Sequence, residues 1–445
     1  PASNLLTPKD IIYRCNMADI KCIVCTADGD ISHRVQEAAP ECPSLKLLIT
    51  TNAPENSQWL DFHKGVDAAS SEFIRPTGEE ATKNSDIMLI YFTSGTTGMP
   101  KMVAHDYLYA LAHITTAAFW HRVDPDGIHL TVSDTGWGKA AWGKLYGQWL
   151  AETCIMVYDF DKFIPCDLLQ IMQDYKITTF CAPPTIYRFL VKEDMSKYDL
   201  SSLKECTNAG EPLNPEVLRR WQQITGHKIY EAFGQSEGTP ILATCYFMQP
   251  KEGSTGKPNP LLRVDLVDDN GKSVGTGEEG QIVIRTDKGK PAGLFCGYYH
   301  DPANTNAAWH DGLYYTGDVA WRDEEGFYYF IGRADDVIKS SGYRIGPFEV
   351  ERALLEHPAA LECAITGVPD PDRGQLVKAT VALVKGYEPS EELKKELQNH
   401  VKRVTAPYKY PRIIEFVDDI EKTISGKLKR KDIRERDKQQ YGKKD

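Results

Sequence analysis

A loop rich in hydroxyl groups and glycine, residues 93–101, follows a short apolar run and ends at a lysine. The run at residues 87–92 has the length of a buried strand, and apolar positions recur at helical spacing from Asp106 onwards. Glycines let backbone N–H groups approach an anion, hydroxyls add donors, and Lys101 supplies positive charge. Because Pro100 precedes the lysine and no Ser or Thr follows it, this is not a Walker A loop. The pattern predicts a phosphate-binding loop, although a loop of this composition alone is more often a simple turn.

The size and charge of the chain limit what it can be. With 445 residues it has room for several domains of about 100–200 residues each. The formal net charge of -11 disfavours nucleic acid as the main partner, because a phosphate backbone attracts a basic surface. No apolar run approaches the ~20 residues of a membrane span, and nothing after Pro1 has the pattern of a signal or transit peptide.

Cysteine and histidine spacing argues against metal or disulfide frameworks. The 11 cysteines are scattered, which favours reduced thiols and a cytoplasmic protein, or one of the mitochondrial matrix if the source is eukaryotic. The single CxxC, residues 22–25, is interpreted as a buried strand rather than a redox or zinc site, because no second pair is present. Four histidines recur every eight residues, a spacing that drifts around a helix and disfavours a metal site: His105, His113, His121 and His129.

The pattern of predicted helices and strands changes at two points in the sequence. Helical and strand-like segments alternate over residues 1–60, and a helix, a buried strand and a second helix succeed one another over residues 168–191, which predicts parallel strands covered by helices. From about Gly256 the strands are separated by turns such as Asn270-Gly271, which predicts antiparallel structure. A smaller unit with helices and strands follows a polar break. We therefore expect a large N-terminal α/β domain with a β-rich subdomain, residues 1–334, and a small α+β C-terminal domain, residues 335–445.

Three further motifs carry residues suited to nucleotide chemistry. Residues 208–213 and 231–237 each have a glycine at a strand-to-helix turn, where ligands bind in open α/β sheets. Glu237 offers a carboxylate oxygen suited to Mg²⁺, and Phe233 offers a ring for a purine; an ordinary turn beside a core aromatic explains these residues about equally well. Asp318 could accept both hydroxyls of a ribose, although a plain turn aspartate is the commoner case.

Two segments nearer the C-terminus also have anion-binding character. Residues 340–346 combine two glycines with an arginine. Lys427 stands on a Ser-Gly turn, within a basic tail that is otherwise typical of a solvated surface. Together with the loop at residues 93–101, these motifs stand in an order that is typical of one enzyme superfamily.

The chain resembles the adenylate-forming superfamily from Pro1 to about Asp437. Within it, residues 133–137, 340–347 and 405–412 are most similar to medium-chain acyl-CoA synthetases. The resemblance implies a ligase that uses ATP, Mg²⁺ and CoA. Such an enzyme activates a carboxylic acid as an acyl-adenylate, releases pyrophosphate, and then transfers the acyl group to CoA with release of AMP.

The resemblance also implies roles for individual residues. The β- and γ-phosphates of ATP are expected at Thr93, Ser94, Gly95, Thr96, Thr97, Gly98, Met99, Pro100 and Lys101. The adenine site is expected at Gly210, Glu211, Pro212, Glu231, Ala232, Phe233, Gly234, Gln235 and Ser236, with Ser236 and Glu237 at Mg²⁺. Ribose is expected at Asp318 and Arg333, and the phosphate region at Arg344. CoA is expected at Ser341, Gly342, Tyr343, Arg373, Lys402, Tyr410, Pro411 and Arg412. The acyl pocket is expected at Trp137, Lys139 and Trp142.

Four residues are expected to act in catalysis, and Lys427 is the foremost of them. It is similar to the family's lysine that bridges the carboxylate and the α-phosphate during adenylation. The other three are Lys101, Glu237 and Asp335. Asp335 matches the family's hinge, about which the small domain would swing between the two steps.

The chain departs from the family pattern at a few positions. Phe233 and Ser236 stand where the family usually has Tyr and Thr, and Glu421 replaces a usual proline. Family members also carry a substantial region before the point that matches Pro1, so the large domain is expected to be truncated at its N-terminus.

Two other functions remain open beside acyl-CoA synthesis. One is an adenylating enzyme that uses another acceptor, such as a carrier protein; Arg373 and residues 410–412 argue against it. The other is an inactive nucleotide-binding fragment, against which Lys427 argues, since binding alone does not need that lysine. For the acid, the bulky Trp137 and Trp142 predict a short, branched or aromatic substrate, unless either Trp is only core.

Overall fold

The computed structural model describes residues 1–55, 57–93, 100–160, 162–210, 215–422 and 428–441, and of Pro215 and Arg344 it describes the backbone alone. Within these ranges, every helix is too short or too polar to cross a membrane. The described residues fall into an N-terminal α/β unit, a central sheet, a β-rich subdomain and a small C-terminal α+β unit.

Residues 1–68 form a three-stranded parallel sheet with its helices. The elements are α1 (Pro8–Met17), β1 (Cys22–Cys25), α2 (Ile31–Ala38), β2 (Leu47–Thr50), β3 (Leu60–Asp61) and α3 (Phe62–Ala68). Helix α1 begins at Pro8 because Thr7 and Asp10 cap it reciprocally: each side chain accepts the backbone N–H of the other residue. The CxxC segment is strand β1, so the predicted strand is confirmed. The prediction that it is buried is wrong: Val24 is exposed and both cysteines are half-buried, because β1 is the outer strand of its sheet.

A β-hairpin carries the predicted phosphate loop. Its elements and the helix after it are β4 (Ile87–Thr93), β5 (Lys101–Asp106) and α4 (Tyr107–Ala112). Thr93 and Lys101 are partners across the antiparallel pair, so the two ends of the loop lie side by side. Asp106 caps α4 by accepting the N–H of Leu108. The predicted strand before the loop and helix after Asp106 are confirmed, whereas the apolar pattern gives no sign of β5.

A seven-stranded sheet forms the centre of the large domain. Its strands and helices are β6 (Ile128–Thr131), α5 (Gly138–Lys144), α6 (Tyr146–Leu150), β7 (Cys154–Met156), α7 (Pro165–Asp174), β8 (Thr179–Ala182), α8 (Pro184–Leu190), β9 (Glu205–Ala209), α9 (Pro215–Thr225), β10 (Ile229–Phe233), β11 (Leu242–Ala243) and β12 (Lys257–Pro258). The order is β12-β11-β10-β9-β8-β6-β7, parallel from β10 to β7 and antiparallel at β11 and β12. The predicted parallel strands are therefore present, and their carboxyl ends meet at one edge.

The two faces of this sheet differ because side chains alternate along each strand. One face presents large apolar side chains such as Leu130 and Phe180, which pack with α7 to α9 around the fully buried Trp221. The other face is lined by smaller, more polar side chains, namely His129, Thr131, Thr179, Cys181, Thr207 and Ala209. Trp120, from the helical turn before β6, packs on this second face. Because the side chains on this face are small, residues from outside the sheet fill most of the layer that packs on it.

The β-rich subdomain is antiparallel, as predicted. Its elements are β13 (Val264–Val267), β14 (Gly280–Arg285), β15 (Gly297–Tyr298), α10 (Pro302–Ala308), β16 (Trp309–His310), β17 (Leu313–Arg322) and β18 (Tyr328–Arg333). The predicted Asn270-Gly271 turn lies between β13 and β14, and Gly271 has a φ of 74°, which glycine adopts without strain. Strand β15 pairs with β5 and so joins this subdomain to the phosphate-loop hairpin.

The small C-terminal unit is a five-stranded sheet with helices on both sides. Its elements are β19 (Ile338–Ser340), β20 (Tyr343–Ile345), α11 (Pro347–Leu355), β21 (Ala360–Asp370), β22 (Gly374–Leu383), α12 (Glu391–Val404), β23 (Ile413–Val417) and α13 (Arg430–Tyr441). Ser390 caps α12 by accepting the N–H of Leu393. Helix α13 is anchored by Asp437, which is fully buried and pairs with the equally buried Lys378.

Candidate active site

Two of the predicted motifs lie at the carboxyl edge of the parallel strands. Asn208 and Gly210 stand at and just beyond the end of β9, and residues 231–237 run from β10 into the following loop. The Asn208 amide donates to the Glu231 carboxylate at 3.3 Å, which joins the two motifs. Two predicted adenine-site residues, Glu211 and Pro212, lie outside the described residues.

The described residues include only the two ends of the predicted phosphate loop. Ser94, Gly95, Thr96, Thr97, Gly98 and Met99 lie outside them. At the C-terminal end of the loop, the Pro100 carbonyl accepts a hydrogen bond from the Tyr13 hydroxyl at 2.9 Å. The Lys101 ammonium lies 4.7 Å from the centroid of the Tyr298 ring, a distance typical of a cation–π contact. Lys101 is thereby held against the β-rich subdomain.

Glu237, the predicted metal carboxylate, is held by the same tyrosine. The Tyr298 hydroxyl donates to Glu237 Oε1 at 2.8 Å, and the Phe295 N–H donates to the Glu237 carbonyl at 2.8 Å. Burial, together with the negative charge of Glu237, raises the pKa of Tyr298, so the phenol stays protonated and donates to the carboxylate. One ring therefore contacts both the phosphate-loop lysine and the predicted metal ligand.

The residues around Glu237 fit a magnesium ion that is shared with a nucleotide. In the part of the chain that the structure describes, no three His, Cys, Asp or Glu side chains cluster as a metal site. Mg²⁺ commonly binds through one or two carboxylates plus substrate phosphates, and a single carboxylate beside a phosphate loop matches that donor set.

A hydrogen-bond network joins the loop after β10 to the β-rich subdomain. The Gln235 amide donates to Asp318 Oδ2 at 2.5 Å and to the Thr316 carbonyl at 2.7 Å, and its oxygen accepts from the Tyr314 hydroxyl at 2.9 Å. Arg333 Nη1 lies 3.7 Å from Asp318 Oδ2, because the two residues are partners on β17 and β18. Three predicted nucleotide residues, Gln235, Asp318 and Arg333, therefore form one network.

His105 is a site residue that the sequence pattern missed. Its Nε2 lies 2.6 Å from the Ser236 carbonyl, and its ring stacks on Tyr109 at 3.8 Å. Burial lowers the pKa of His105 to about 4, so the ring is neutral near neutral pH and donates through Nε2. The eight-residue histidine spacing gives no sign of this role. His105 ties β5 to the backbone of the predicted adenine and metal loop.

The three predicted acyl-pocket residues are placed differently. Lys139 is buried, and its ammonium donates to the Ala209 carbonyl at 3.2 Å, at the end of β9. Trp142 packs with Trp120 on the small-residue face of the sheet, their ring centroids 5.7 Å apart. Trp137 stands at the N-terminal cap of α5, where its carbonyl accepts the Ala140 N–H. The structure thus brings Lys139 and Trp142 to the sheet edge, while the described contacts of Trp137 are backbone contacts.

The predicted CoA residues gather on the small domain in two groups. Arg373 Nη1 donates to the Ser341 hydroxyl at 3.1 Å, beside Gly342, and Tyr343 stacks on Tyr408 with centroids 4.1 Å apart. In the second group, Lys402 Nζ lies 4.1 Å and Arg412 Cζ 4.8 Å from the ring centroid of Tyr410, next to Pro411. Tyr408 is a further aromatic residue that the predicted set omits. Both groups combine cations with aromatic rings: those of Tyr343 and Tyr408 are exposed, whereas that of Tyr410 is half-buried.

Asp335, the predicted hinge, lies between the β-rich subdomain and the small C-terminal unit. Asp335 stands between β18 and β19, where Arg333 Nε donates to its carboxylate at 3.4 Å and Arg434 donates to its carbonyl at 3.3 Å. Its role as a hinge stays a prediction. The Arg344 side chain and all of Lys427 lie outside the described residues.

Comparison with known families decides what kind of site this is. A sequence profile described as AMP-binding enzyme matches residues 1–299, and one described as AMP-binding enzyme C-terminal domain matches residues 349–427. The chain belongs to the AMP-binding enzymes. Its described network at the sheet edge is therefore the candidate nucleotide site of an AMP-binding enzyme.

The named relatives of this AMP-binding enzyme are acyl-coenzyme A synthetases. Mitochondrial acyl-coenzyme A synthetase ACSM3 of Pongo abelii is 42% identical over 442 residues, which are 98% of this chain and 74% of the relative. Mitochondrial acyl-coenzyme A synthetase ACSM5 of Homo sapiens is 42% identical over 446 residues, covering 100% of this chain and 75% of the relative.

A solved structure supports the same assignment. The anthranilate CoA ligase AuaEII, in complex with anthranoyl-AMP, superposes with a TM-score of 0.85 at 28% identity, over 98% of this chain and 82% of that one. The predicted fold class and the predicted membership among the acyl-CoA synthetases are confirmed.

Proposed function

We propose that this AMP-binding enzyme joins a carboxylic acid to CoA in two steps. In the first, a carboxylate oxygen attacks the α-phosphorus of ATP, the bond from that phosphorus to the bridging oxygen breaks, and pyrophosphate leaves. In the second, the CoA thiol loses its proton and attacks the acyl carbonyl, and AMP leaves. The observation that carries the proposal is the meeting of Lys101, Glu237 and the Gln235–Asp318–Arg333 network at the sheet edge.

The large-domain residues divide the binding of the nucleotide among them. Asp318, supported by Gln235 and Arg333, offers its carboxylate to the ribose hydroxyls. Lys101 and the rest of the phosphate loop hold the β- and γ-phosphates. Glu237 would hold Mg²⁺, which offsets phosphate charge when bound. Lys427 supplies positive charge that offsets the negative charge developing at the α-phosphate.

The small domain supplies the surface for CoA. CoA carries phosphates and an adenine ring, which match arginines and exposed aromatic rings respectively. Arg373 beside Ser341, and Lys402 and Arg412 on Tyr410, provide both kinds of contact. Tyr343 and the neighbouring Gly342 complete the set that we assign to CoA.

We place the acyl pocket on the small-residue face of the sheet. Trp142 and Trp120 pack with Ala209 and Cys181 in one cluster, and in this proposal the acid binds beside the two indole rings. Lys139 holds the Ala209 carbonyl and so fixes the end of β9. Large indoles opposite small side chains favour a short, branched or flat aromatic acid of modest length.

Pyrophosphate release with a panel of acids tests the reaction. Wild type is expected to release pyrophosphate and form AMP with short branched and aromatic acids, and to form a thioester only when CoA is added. Glu237→Gln should lose most of this activity, whereas Glu325→Gln, at an exposed position away from the site, should keep it. Transfer to a carrier protein rather than to CoA, or binding of ATP without pyrophosphate release, would contradict the proposal.

The acid profile of two tryptophan variants tests the pocket. Trp137→Gly and Trp142→Gly should both shift the optimum to longer acids if both rings line the pocket, while the KM for ATP stays nearly unchanged. A methylene contributes roughly 1–3 kcal/mol of discrimination in such pockets. If only Trp137→Gly keeps the wild-type acid profile, Trp137 does not line the pocket. If both variants keep it, the acid binds at another place in the protein.

We also propose that the enzyme works in a reducing compartment, the cytoplasm or the mitochondrial matrix. All 11 cysteines are free. The two relatives named above are mitochondrial by their names. Import into isolated mitochondria, or its absence, distinguishes the two compartments.

A further inference from the structure

A row of aromatic rings runs from the nucleotide site to the small domain. The Phe233 ring, at the end of β10, lies 5.4 Å from that of Phe330 in β18. The Phe330 ring lies 5.1 Å from that of Phe348 in α11, in an edge-to-face arrangement. The Arg430 guanidinium, in α13, lies 4.3 Å from the Phe348 ring. The contact between Phe330 and Phe348 crosses the predicted hinge at Asp335.

The backbones on the two sides of this contact are also close. A Cβ atom on Gly346 would stand 2.4 Å from the Ile331 carbonyl oxygen, and one on Gly332 would stand 3.3 Å from Cδ of Pro347. Only residues without a Cβ allow the first turn of α11 to lie this close to β18. The ring contact is therefore part of a tightly packed junction between the domains.

Arg430 links the junction to the segment that carries Lys427. It donates to both carboxylate oxygens of Glu351, at 3.0 Å and 2.7 Å, and both side chains are nearly buried. Lys422 and Leu428 form a β-bridge that closes the base of that segment, and Arg430 follows two residues later. The base of the Lys427 segment is thus fixed to the ring that touches Phe330.

The CoA surface faces water in this arrangement. Ser341, Gly342 and Tyr343 are exposed, and Tyr343 is 51% exposed. For CoA to reach an acyl group bound in the large domain, these residues must turn towards that domain. The orientation described here is therefore not the one required for the second step.

We propose that the contact of Phe330 with Phe348, here named the ring latch, holds the small domain in the orientation for adenylation and is coupled to the nucleotide through Phe233. This inference rests on the proposed function. A nucleotide that restrains the Phe233 ring restrains Phe330 and so favours the closed latch. By reciprocity, the closed latch raises the affinity for the nucleotide by the same factor. Phe330 and Phe348 are positioning residues, since neither touches the reacting atoms.

The half-reactions of latch variants provide the first test. Phe348→Leu, which keeps apolar volume but removes the ring, should lower kcat/KM for adenylation about five- to tenfold, with the KM for ATP raised. Thioester formation from a supplied acyl-adenylate should be unchanged or faster. Phe348→Tyr, which retains the ring, should restore adenylation. Phe416→Leu removes a half-buried ring of the small domain that also lies under a lysine, and it should leave both steps near wild type.

Hydrogen–deuterium exchange provides a test that needs no turnover. In wild type and in Phe416→Leu, AMP should slow exchange in residues 328–356, on both sides of the hinge. In Phe348→Leu this protection should be lost, although AMP still binds. The proposed function is tested separately by pyrophosphate release. If AMP slows exchange in these residues but no pyrophosphate is released with any acid, the ring latch is supported and the proposed ligase activity is rejected. Equal loss of both half-reactions in Phe348→Leu, or protection as strong as in wild type, would overturn the proposal.

Discussion

The proposed nucleotide site of the large domain and the proposed CoA surface of the small domain are built in opposite ways. In the first, Asp318 is 3% exposed and Tyr314 is 2% exposed, and both belong to a network that Gln235 closes. In the second, Tyr343 is 51% exposed and Tyr408 is 38% exposed, and Arg373 is exposed as well. One site is preorganised in the interior, whereas the other is an open surface.

This difference follows from what each region has to do. Buried polar groups hold their geometry because leaving one unpaired is costly, so the large domain can present fixed donors to a nucleotide. A surface that meets its ligand only after a domain rotation cannot be enclosed in advance, because enclosure would block the rotation. We therefore expect substitutions in the large-domain site to cost more than substitutions on the small-domain surface.

Lys427→Ala should have the largest effect, because we propose that this lysine of the small domain acts at the large-domain site. Loss of one preorganised charge should slow adenylation roughly 100–1,000-fold. Thioester formation from supplied acyl-adenylate should survive. Rapid-quench assays of each half-reaction measure this. Lys422→Ala, at the base of the same segment and paired with Glu362, is the control and should change adenylation little. An equal fall in both half-reactions would make the assigned role wrong.

Asp318→Ala should have the next largest effect. Hydrogen bonds to a charged group contribute about 1.5–3 kcal/mol, so the KM for ATP should rise roughly 10- to 100-fold while the KM for CoA stays constant. Initial rates at varied ATP and CoA measure the split. Asp265→Ala, which removes a carboxylate paired with Arg285 elsewhere in the β-rich subdomain, controls for lost stability. A rise in the KM for ATP in both variants would show that Asp318 acts only on stability.

Arg373→Ala should have a smaller effect, confined to CoA. Because Arg373 is exposed, we expect the KM for CoA to rise only about three- to tenfold, and less so at high salt, which screens exposed charges. The measurement is the KM for CoA at two ionic strengths. Arg403→Ala, an exposed arginine of α12 outside the assigned set, should not change it. A change in the KM for ATP instead would move Arg373 out of the CoA surface.

The smallest predicted effect concerns pH and His105. Burial lowers the pKa of His105 to about 4 from the usual 6.5, so folding favours the neutral ring. Its contribution to stability is fully present above pH 6.5 and is lost as pH falls towards 4, by about 1 kcal/mol at pH 6. Urea unfolding at pH 8, 7, 6 and 5 measures this. His105→Gln keeps a donor but does not titrate, so its stability should fall less steeply. Parallel curves for both proteins would contradict the assignment.

Sequence patterns predicted some parts of the molecule well and others poorly, for physical reasons. Strands β1 and β4 are short apolar runs, and α4 has apolar positions at helical spacing, so local patterns suffice to predict them. Strand β5 was not predicted because it begins with a lysine directly after a proline, and because one of its partner strands, β15, is distant in sequence. Recognition of the motifs depended on their joint order, since each motif alone resembles an ordinary turn.

Within the site, too, some residues could be predicted from the sequence and others depend on partners distant in the chain. Gln235, Asp318 and Arg333 came from the resemblance, and their meeting in space is a property of the fold. His105 and Tyr298 carry no motif of their own. Their roles arise from the Ser236 carbonyl and the Glu237 carboxylate that they meet, which lie more than 60 positions away in the chain.

The central claim is that one small domain serves two steps by turning about Asp335. Asp335→Pro fixes φ at this position and should restrict that turn. Single-turnover rapid quench with ATP, acid and CoA follows both acyl-adenylate and thioester in one experiment. The account predicts that acyl-adenylate still forms and accumulates while thioester formation collapses. Equal retention of both steps would contradict it, because the domain would then complete the reaction without a turn at Asp335.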